Sequence, residues 1–159
     1  MRASDIMTHS VITISPEASI HDVARLLSDY HISGAPVVDV EGRMIGLVTE
    51  ADLIGKDGAT VADIMTTRVM TAQEDTPVEL IAQLLTSNRF KRLPVTRGDR
   101  LVGIVSRADI VRMMASRWFC QVCGAERAGG QPSICDACGA DGSAFERDLS
   151  PRMEMSSRH

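Results

Sequence analysis

Aromatic residues are scarce in this chain of 159 residues, which has one Trp, one Tyr and three Phe. A packed core therefore has to be built from Val, Ile, Leu, Met and Ala, and the hydrophobic share of 44% is sufficient for one. No apolar run approaches the roughly 20 residues that a membrane-spanning helix needs. Residues 1–5 also lack the apolar stretch of a secretory signal, so the expected location is the cytoplasm.

An excess of positive charge is also missing, because 17 Lys and Arg stand against 21 Asp and Glu. The net charge of −4 provides no general attraction to nucleic acid or to an anionic membrane, and neither is expected as a partner. Cysteine is absent before residue 120. The cysteine-containing end therefore forms a part of the chain with its own chemistry.

Residues 1–116 contain an internal repeat, which indicates two copies of one structural unit. Asp5-Ile6-Met7-Thr8 recurs as Asp63-Ile64-Met65-Thr66, and further matches follow in the same order with the loss of one residue in a turn. The other matched segments are residues 36–37 with 94–95 and residues 46–52 with 103–109. A series in one order with one small gap is not a chance coincidence.

Each copy has the pattern β-α-β-β-α, which predicts an α+β fold with some α/β character. Short β-branched runs predict strands, apolar residues at helical spacing predict helices, and Gly-containing turns predict hairpins. The expected elements are strands at Val11–Ile14 and Val69–Thr71, helices from Ile20 and Val78, hairpins around Gly42 and Gly98, and second helices from near Glu50 and Arg107. Residues 55–60 are Gly-rich and polar, and they are expected to link the copies.

The repeated unit resembles the CBS domain, and the tandem resembles a CBS pair, also called a Bateman module, over residues 1–116. The resemblance is carried by the two Asp-Ile-Met-Thr openings, by Gly34-Ala35-Pro36-Val37 and Arg92-Leu93-Pro94-Val95, and by the two Gly-x-x-(Thr/Ser)-x-x-Asp stretches. It implies two repeats packed about a pseudo-two-fold axis and an adenosine compound, such as AMP, ADP, ATP or S-adenosylmethionine, in the clefts between them. It also implies association into a homodimer.

The resemblance suggests roles for several polar residues. Asp52 and Asp109 follow a strand in the first turn of a helix, where a carboxylate can accept both hydroxyls of a ribose. An ordinary helix-capping role is the alternative interpretation of both. The complete set of expected nucleotide contacts is Thr13, Ile14, Gly34, Ala35, Pro36, Thr49, Asp52, Thr71, Lys91, Arg92, Leu93, Pro94, Ser106, Arg107 and Asp109.

The two copies differ in charge near the expected ligand. The second copy has Arg89, Lys91, Arg92 and Arg107 where the first has His31, Ser33, Gly34 and Glu50. We therefore expect cations of the second copy to hold a multiply charged phosphate, in their own cleft or across the axis in the other. Solvated surface charges are the alternative interpretation.

All four cysteines form two C-x-x-C pairs, Cys120 with Cys123 and Cys135 with Cys138, and Gly follows each pair. This spacing predicts a tetrahedral metal site with four thiolate ligands. Two disulfides are the alternative, which a reducing compartment disfavours. The stretch resembles zinc ribbons and the rubredoxin-like tail of rubrerythrins, which implies zinc, with iron as the other possibility.

These observations give the domain organisation and the function expected of the chain. The expected domains are CBS repeats at 1–57 and 58–116, a metal ribbon at 117–148 and a flexible tail at 149–159. We expect a non-enzymatic regulatory module that binds an adenine nucleotide and signals to a partner protein. A redox or metal-sensing protein with an iron site is the alternative. No activated nucleophile or open metal site is readable in the sequence, so an enzyme is not expected.

Overall fold

The computed structural model describes residues 1–87 and 90–148. Arg89 and the expected tail at 149–159 lie outside the described residues. The chain divides into two compact units, unit 1 from Met1 to Ile110 and unit 2 from Val111 to the end. Among the described residues, no helix is long and apolar enough to cross a membrane.

Unit 1 contains both repeats, and each has helices, a hairpin and a short N-terminal turn. The helices are α1 (Ala3–Ile6), α2 (Ile20–Asp29), α3 (Glu50–Gly55), α4 (Val61–Ile64), α5 (Val78–Ser87) and α6 (Arg107–Met114), the last of which contains the boundary between the units. The strands are β1 (Gly34–Val38), β2 (Met44–Thr49), β3 (Ala72–Gln73), β4 (Arg92–Arg97) and β5 (Arg100–Ser106).

The predicted hairpins are confirmed, and the two have the same irregularity. Strands β1 and β2 pair antiparallel, as do β4 and β5, and the register shifts after Val37 in one hairpin and after Val95 in the other. Gly42 and Gly98 occupy the turns with φ angles of 80° and 65°, which side chains with a Cβ rarely adopt. The two hairpins therefore share the position of their register shift, whereas their turns differ in length by one residue.

The predicted helices also form, and their apolar stripes face inward. Helix α2 begins after Ser19, whose side-chain oxygen accepts a hydrogen bond from the backbone amide of Asp22 at 3.1 Å. Its buried residues Val23 and Leu27 are four positions apart, as the helical period requires. Helix α5 follows Pro77 directly and likewise buries one face against the sheet of the second repeat.

The first strand of each repeat is shorter than its sequence predicts. In the first repeat only Ile14 pairs, in a parallel bridge with Val37. In the second repeat the strand is β3, which follows the predicted segment Val69–Thr71 and runs parallel to β4. The prediction at Val69–Thr71 was therefore wrong in position. β-Branched residues indicate an extended chain, but they do not show which of its residues pair with a neighbouring strand.

Each repeat completes its core with the N-terminal turn of the other repeat. Ala3 and Met7 lie in the cluster that contains Leu85, Leu93 and Val95 of the second repeat. Val61, the counterpart of Ala3, is buried with Ile64 in the core of the first repeat, and Met65, the counterpart of Met7, packs against that core. We call residues 1–8 and 59–66 the exchanged arms.

Backbone pairing fixes the exchanged arms in a reciprocal arrangement. Thr8 bridges to Ile104, and its counterpart Thr66 bridges to Leu47, the counterpart of Ile104. The amide of Thr8 donates to the carbonyl oxygen of Ile104 at 2.8 Å, and that of Ile104 donates back at 3.0 Å. Because the two exchanges match residue for residue, the repeats are related by the pseudo-two-fold axis that the resemblance implies.

Unit 2 is a small three-stranded sheet around a core that includes two cysteines. Strand β6 (Arg117–Cys120) lies between β7 (Glu126–Ala128) and β8 (Phe145–Arg147), and both pairings are antiparallel. Its buried cluster consists of Cys120, Cys135 and Phe145, with Trp118 packed against it. The scarcity of apolar residues in this core means that packing alone supplies little stability.

Replacing Gly103 with Ala tests the fit of the arm against β5. A Cβ at Gly103 would lie 2.4 Å from the sulfur of Met7 and 3.0 Å from the carbonyl oxygen of Thr8. We expect Gly103→Ala to lower the free energy of unfolding of unit 1 by about 1–3 kcal/mol in urea titrations. Gly55→Ala is the matched control, since nothing lies within 4 Å of a Cβ there. Equal stabilities of the two variants would contradict the tight packing of the arm.

Candidate functional site

A groove between the two repeats of unit 1 consists of three adjoining cavities that share lining residues. We name the cavity beside residues 66–71 the arm lobe, the next the middle lobe, and the one beside α2 and α3 the helix lobe. Their volumes are about 630, 450 and 690 Å³ respectively. Each volume falls in the range typical of small-molecule sites.

The arm lobe combines an apolar surface with hydroxyls and cations. Its apolar part includes Leu47 of the first repeat and Phe90 and Pro94 of the second. Its polar side chains are Thr49, Thr66, Arg68, Thr71 and Arg92. Both repeats are therefore needed to form this cavity.

The middle lobe connects the other two cavities. It shares Thr49, Phe90 and Arg92 with the arm lobe, and it shares Glu50, Lys91 and Arg92 with the helix lobe. Arg92 is thus part of the wall of all three cavities. Lys91 and Arg92 line the middle lobe and Arg68 lines the arm lobe, and all three cations belong to the second repeat.

Six of the residues expected to contact a nucleotide line this groove. They are Gly34, Thr49, Thr71, Lys91, Arg92 and Pro94. Lys91 and Arg92 of the second repeat line the middle lobe together with Thr49 and Glu50 of the first.

The other expected contacts lie elsewhere. Ile14, Ala35, Pro36 and Leu93 are buried, and three of them belong to the two hydrophobic cores. Arg107 donates from its Nε to the carbonyl oxygen of Leu85 at 3.1 Å. The three cavities do not include Thr13, Asp52, Ser106 or Asp109 in their lining.

Asp52 and Asp109 both have the geometry of helix caps. Oδ2 of Asp52 accepts from the amide of Thr49 at 3.0 Å and from its hydroxyl at 3.1 Å. Oδ2 of Asp109 accepts the same pair of bonds from Ser106, at 2.7 and 3.1 Å. The capping role that was the alternative interpretation is therefore present in both repeats.

Asp52 also connects the first repeat to the linker and to an exchanged arm. Its Oδ1 lies 2.7 Å from the ammonium of Lys56 and 3.2 Å from the hydroxyl of Thr66. Burial by itself raises the pKa of Asp52, but the hydrogen bonds from Lys56 and Thr49 outweigh this effect and hold the pKa below its ordinary value. The carboxylate is therefore ionised and well supplied with donors, and it fixes Thr49 at the edge of the groove.

Sequence reasoning missed Phe90, Arg68 and Met70, all of which line the groove. Phe90 directly precedes the expected cations Lys91 and Arg92, and it is one of three Phe in the chain. A rare aromatic residue next to two expected ligand contacts could have been predicted to line the same site. Arg68 lies just before the predicted strand Val69–Thr71, and only the tertiary fold places it in the same cavity as Arg92.

The four cysteine sulfurs of unit 2 come together in one cluster. All lie within 4.8 Å of one another, and the cross-pair distances Cys120–Cys138 and Cys123–Cys135 are both 3.7 Å. Four sulfurs at about 2.3 Å from a tetrahedral metal would be separated by about 3.8 Å. The residues present thus fit a Zn²⁺ or iron ion with four thiolate ligands.

The two C-x-x-C turns have the same backbone conformation. Gly124 and Gly139 follow them with φ angles of 74°, and their amides donate to the carbonyls of Cys120 and Cys135 at 2.8 and 2.7 Å. Amides of Cys123 and Val122 also point at the sulfur of Cys120 and lower its pKa to about 7. Such amide donors stabilise thiolates and orient them toward a metal.

Unit 1 thus consists of two tandem α+β repeats with exchanged arms, and a ribbon with four clustered thiols follows it in the sequence. The family model of the CBS domain matches residues 3–57 and residues 61–116. The chain belongs to the CBS-domain family, and its cysteine cluster fits a zinc-ribbon-like site.

Curated relatives include much longer proteins. Inosine-5′-monophosphate dehydrogenase of Methanocaldococcus jannaschii is 35% identical over 114 residues, which are 70% of this chain and 23% of that protein. The chain spans less than half the length of several curated relatives that it matches. The similarity therefore concerns the CBS pair and not the remainder of those proteins.

Similar solved structures are also CBS pairs. CBSX2 of Arabidopsis thaliana in complex with AMP is 29% identical, with a TM-score of 0.66, and the match covers 70% of this chain and 93% of that one. The CBS pair of protein MJ0100 in complex with 5′-methylthioadenosine and S-adenosyl-L-methionine is 33% identical, with a TM-score of 0.62. The match covers 70% of this chain and 94% of that one.

Replacing Cys135 with Ser tests the metal site in unit 2. We expect the variant to lose its bound metal and unit 2 to unfold, because so small a core depends on metal ligation. The only tryptophan, Trp118, lies in unit 2, so its fluorescence reports the loss specifically. Metal content by mass spectrometry is the second measurement, and the absorption spectrum separates colourless zinc from coloured iron.

The control for this experiment is Val122→Ser, which changes an exposed side chain between two of the ligands. It should keep its metal and its fluorescence. A Cys135→Ser protein with one metal per chain and a native spectrum would contradict the four-thiolate site.

Proposed function

We propose that this chain is a regulatory module that binds an adenosine nucleotide in the groove between its two CBS repeats. The observation that carries the proposal is the arm lobe, where an apolar wall adjoins hydroxyls and two arginines. These groups match the three parts of a nucleotide, which are a flat apolar base, a polar ribose and an anionic phosphate.

Each part of the ligand has suitable partners in the groove. Phe90, Leu47 and Pro94 offer an apolar surface to the base, with Phe90 available for stacking. Thr49 and Thr71 offer hydroxyls to the ribose, and Arg92 offers a guanidinium to the phosphate. Asp52 acts in this proposal as a positioning residue that holds Thr49, and contact of its Oδ1 with a ribose would require Lys56 to move away.

The ligands of similar structures support an adenosine compound. CBSX2 holds AMP, and the MJ0100 pair holds methylthioadenosine and S-adenosylmethionine. Adenosine is the group common to all three, whereas phosphate is present in one. We therefore propose that adenosine recognition is shared and that the cations of this chain add selectivity for phosphate.

The remaining parts of the proposal concern unit 2 and the setting of the protein. We propose that Cys120, Cys123, Cys135 and Cys138 hold a structural zinc ion and that the ribbon provides a surface for a partner protein or a second copy. The cytoplasm is the proposed location. The nucleotide is a signal in this proposal, and no reaction is assigned to the chain.

Replacing Arg92 with Ala tests the proposal, since Arg92 lines all three lobes. A charge-assisted hydrogen bond contributes about 1.5–3 kcal/mol, so we expect AMP to bind about 10- to 100-fold more weakly in isothermal titration calorimetry. Adenosine, which lacks the phosphate, should bind the variant and the parent protein with affinities within about twofold.

The control variant is Arg25→Ala, which removes an exposed arginine of α2 that lines none of the three lobes. It should bind AMP like the parent protein. An unchanged AMP affinity in Arg92→Ala, or an equal loss in both variants, would refute the assignment of the groove as the phosphate site.

A further inference from the structure

The four cysteines of unit 2 differ in their access to solvent. Cys120 and Cys135, the first cysteine of each C-x-x-C pair, are each 2% exposed, whereas Cys123 and Cys138 are exposed. Susceptibility of a cysteine to oxidation depends on its thiolate character and on its exposure. Because metal ligation keeps all four cysteines as thiolates, exposure decides which of them a reagent in solution attacks.

Each exposed sulfur has a buried sulfur of the other pair beside it. Cys123 lies 3.7 Å from Cys135, and Cys138 lies 3.7 Å from Cys120. A disulfide bond measures about 2.05 Å, so the two sulfurs of such a couple would have to approach each other by about 1.7 Å. Each couple therefore has an accessible thiolate that can be oxidised and a protected one that can complete a disulfide.

Arg127 distinguishes one of these couples. It forms an ion pair with Asp136, the residue that follows Cys135. The pKa of Arg127 is raised mainly by the hydrogen bond that it donates to Asp136, and the negative charges of Cys135 and Cys123 raise this pKa further. Its guanidinium is thus placed to stabilise negative charge that develops on an oxygen atom beside Cys123.

We infer that unit 2 contains a site of oxidation by hydroperoxides, at which Cys123 reacts first, Cys135 forms a disulfide with it, and the bound metal is released. This inference rests on the structural zinc ion of the proposed function and does not depend on a nucleotide in unit 1. It gives the exposed thiolates a role that a purely structural metal site does not require.

The reaction balances with one molecule of hydrogen peroxide. The thiolate of Cys123 attacks one peroxide oxygen, so that an S–O bond forms, the O–O bond breaks, and the other oxygen leaves as hydroxide. The thiolate of Cys135 then attacks the oxidised sulfur, so that an S–S bond forms and the S–O bond breaks, which releases a second hydroxide. Both hydroxides take a proton and become water. The two sulfurs together lose two electrons to the peroxide, and zinc keeps its charge.

Loss of the metal follows from the new disulfide. Two of the four thiolates are consumed, so the ion has too few ligands to stay bound. The core of unit 2 is small and depends on ligation, so the ribbon loses its structure as well. Reduction of the disulfide by a dithiol restores both thiolates and allows zinc to return.

The test treats the zinc-loaded full chain with hydrogen peroxide and follows zinc release with a chromogenic chelator. We expect one zinc ion per chain to be released, with loss of the native Trp118 fluorescence. Dithiothreitol and added zinc should restore that fluorescence. Disulfides are located by mass spectrometry after cleavage at arginine, and Arg127 lies between the two C-x-x-C pairs. A disulfide between Cys123 and Cys135 joins two peptides, whereas one within a C-x-x-C pair leaves them separate.

Replacing Arg127 with Gln tests its role as a positioning residue. The change removes the positive charge and keeps a hydrogen-bond donor for Asp136, so the untreated variant should hold its zinc. We expect hydrogen peroxide to release this zinc about two- to fivefold more slowly, as a partly exposed charge allows. Arg117→Gln is the matched control, since Arg117 forms an ion pair with Glu126 and has a similar side-chain exposure of 44% against 35% for Arg127. It should release zinc at the rate of the parent protein.

The outcomes separate the inference from the proposed zinc site. If zinc stays bound in excess hydrogen peroxide, or leaves with a disulfide inside one C-x-x-C pair, the inference is wrong and the structural zinc stands. Equal rates for Arg127→Gln and the parent protein would overturn the assignment of Cys123 as the first residue to react. A chain isolated without zinc would overturn both the inference and the zinc site, and the nucleotide titrations would still decide the remainder of the proposed function.

Discussion

The exchange of N-terminal arms is the interaction on which the architecture of unit 1 depends. Met7 and Met65 each lie against a glycine of the other repeat, Gly103 and Gly46, where no Cβ would fit without a shift. Because each core is closed by residues of the other repeat, neither repeat has a complete core alone. The groove between them is a consequence of this arrangement, since its walls are held in place by two reciprocal sets of backbone bonds.

The pseudo-two-fold symmetry of the backbone is not matched by the chemistry of the groove. Lys91 and Arg92 stand where the first repeat has Ser33 and Gly34, and Arg68 stands where it has Ser10. Duplication supplies two equivalent backbone frames, and substitution at these three positions gives the groove cations that the corresponding residues of the first repeat do not supply. In the proposed function, a phosphorylated ligand therefore binds on the side of the groove that carries these cations.

Much of the fold could be predicted from the sequence because its signals are local. The repeat, the helix periodicity and the turn glycines determined the helices and hairpins to within a few residues. The exchange of arms was not predictable, because the Asp-Ile-Met-Thr motif does not indicate whether its side chains pack in the core of their own repeat or of the other one. Lys91 and Arg92 were expected to contact the ligand, and both line the groove. Phe90 was missed although it directly precedes them, whereas Arg68 was missed because only the tertiary fold brings its segment to the groove. For Asp52, two roles had the same sequence signature, and the hydrogen bonds seen favour capping.

The central claim, that an adenosine nucleotide binds between the repeats, is tested most directly by NMR of the wild-type chain with ¹³C-labelled methionine methyl groups. Met70 lines the arm lobe, whereas Met114 is exposed in unit 2 and provides an internal reference. Titration with AMP should shift the Met70 methyl signal in a saturable manner and leave that of Met114 in place. A Met70 signal that does not respond at saturating AMP would contradict the account.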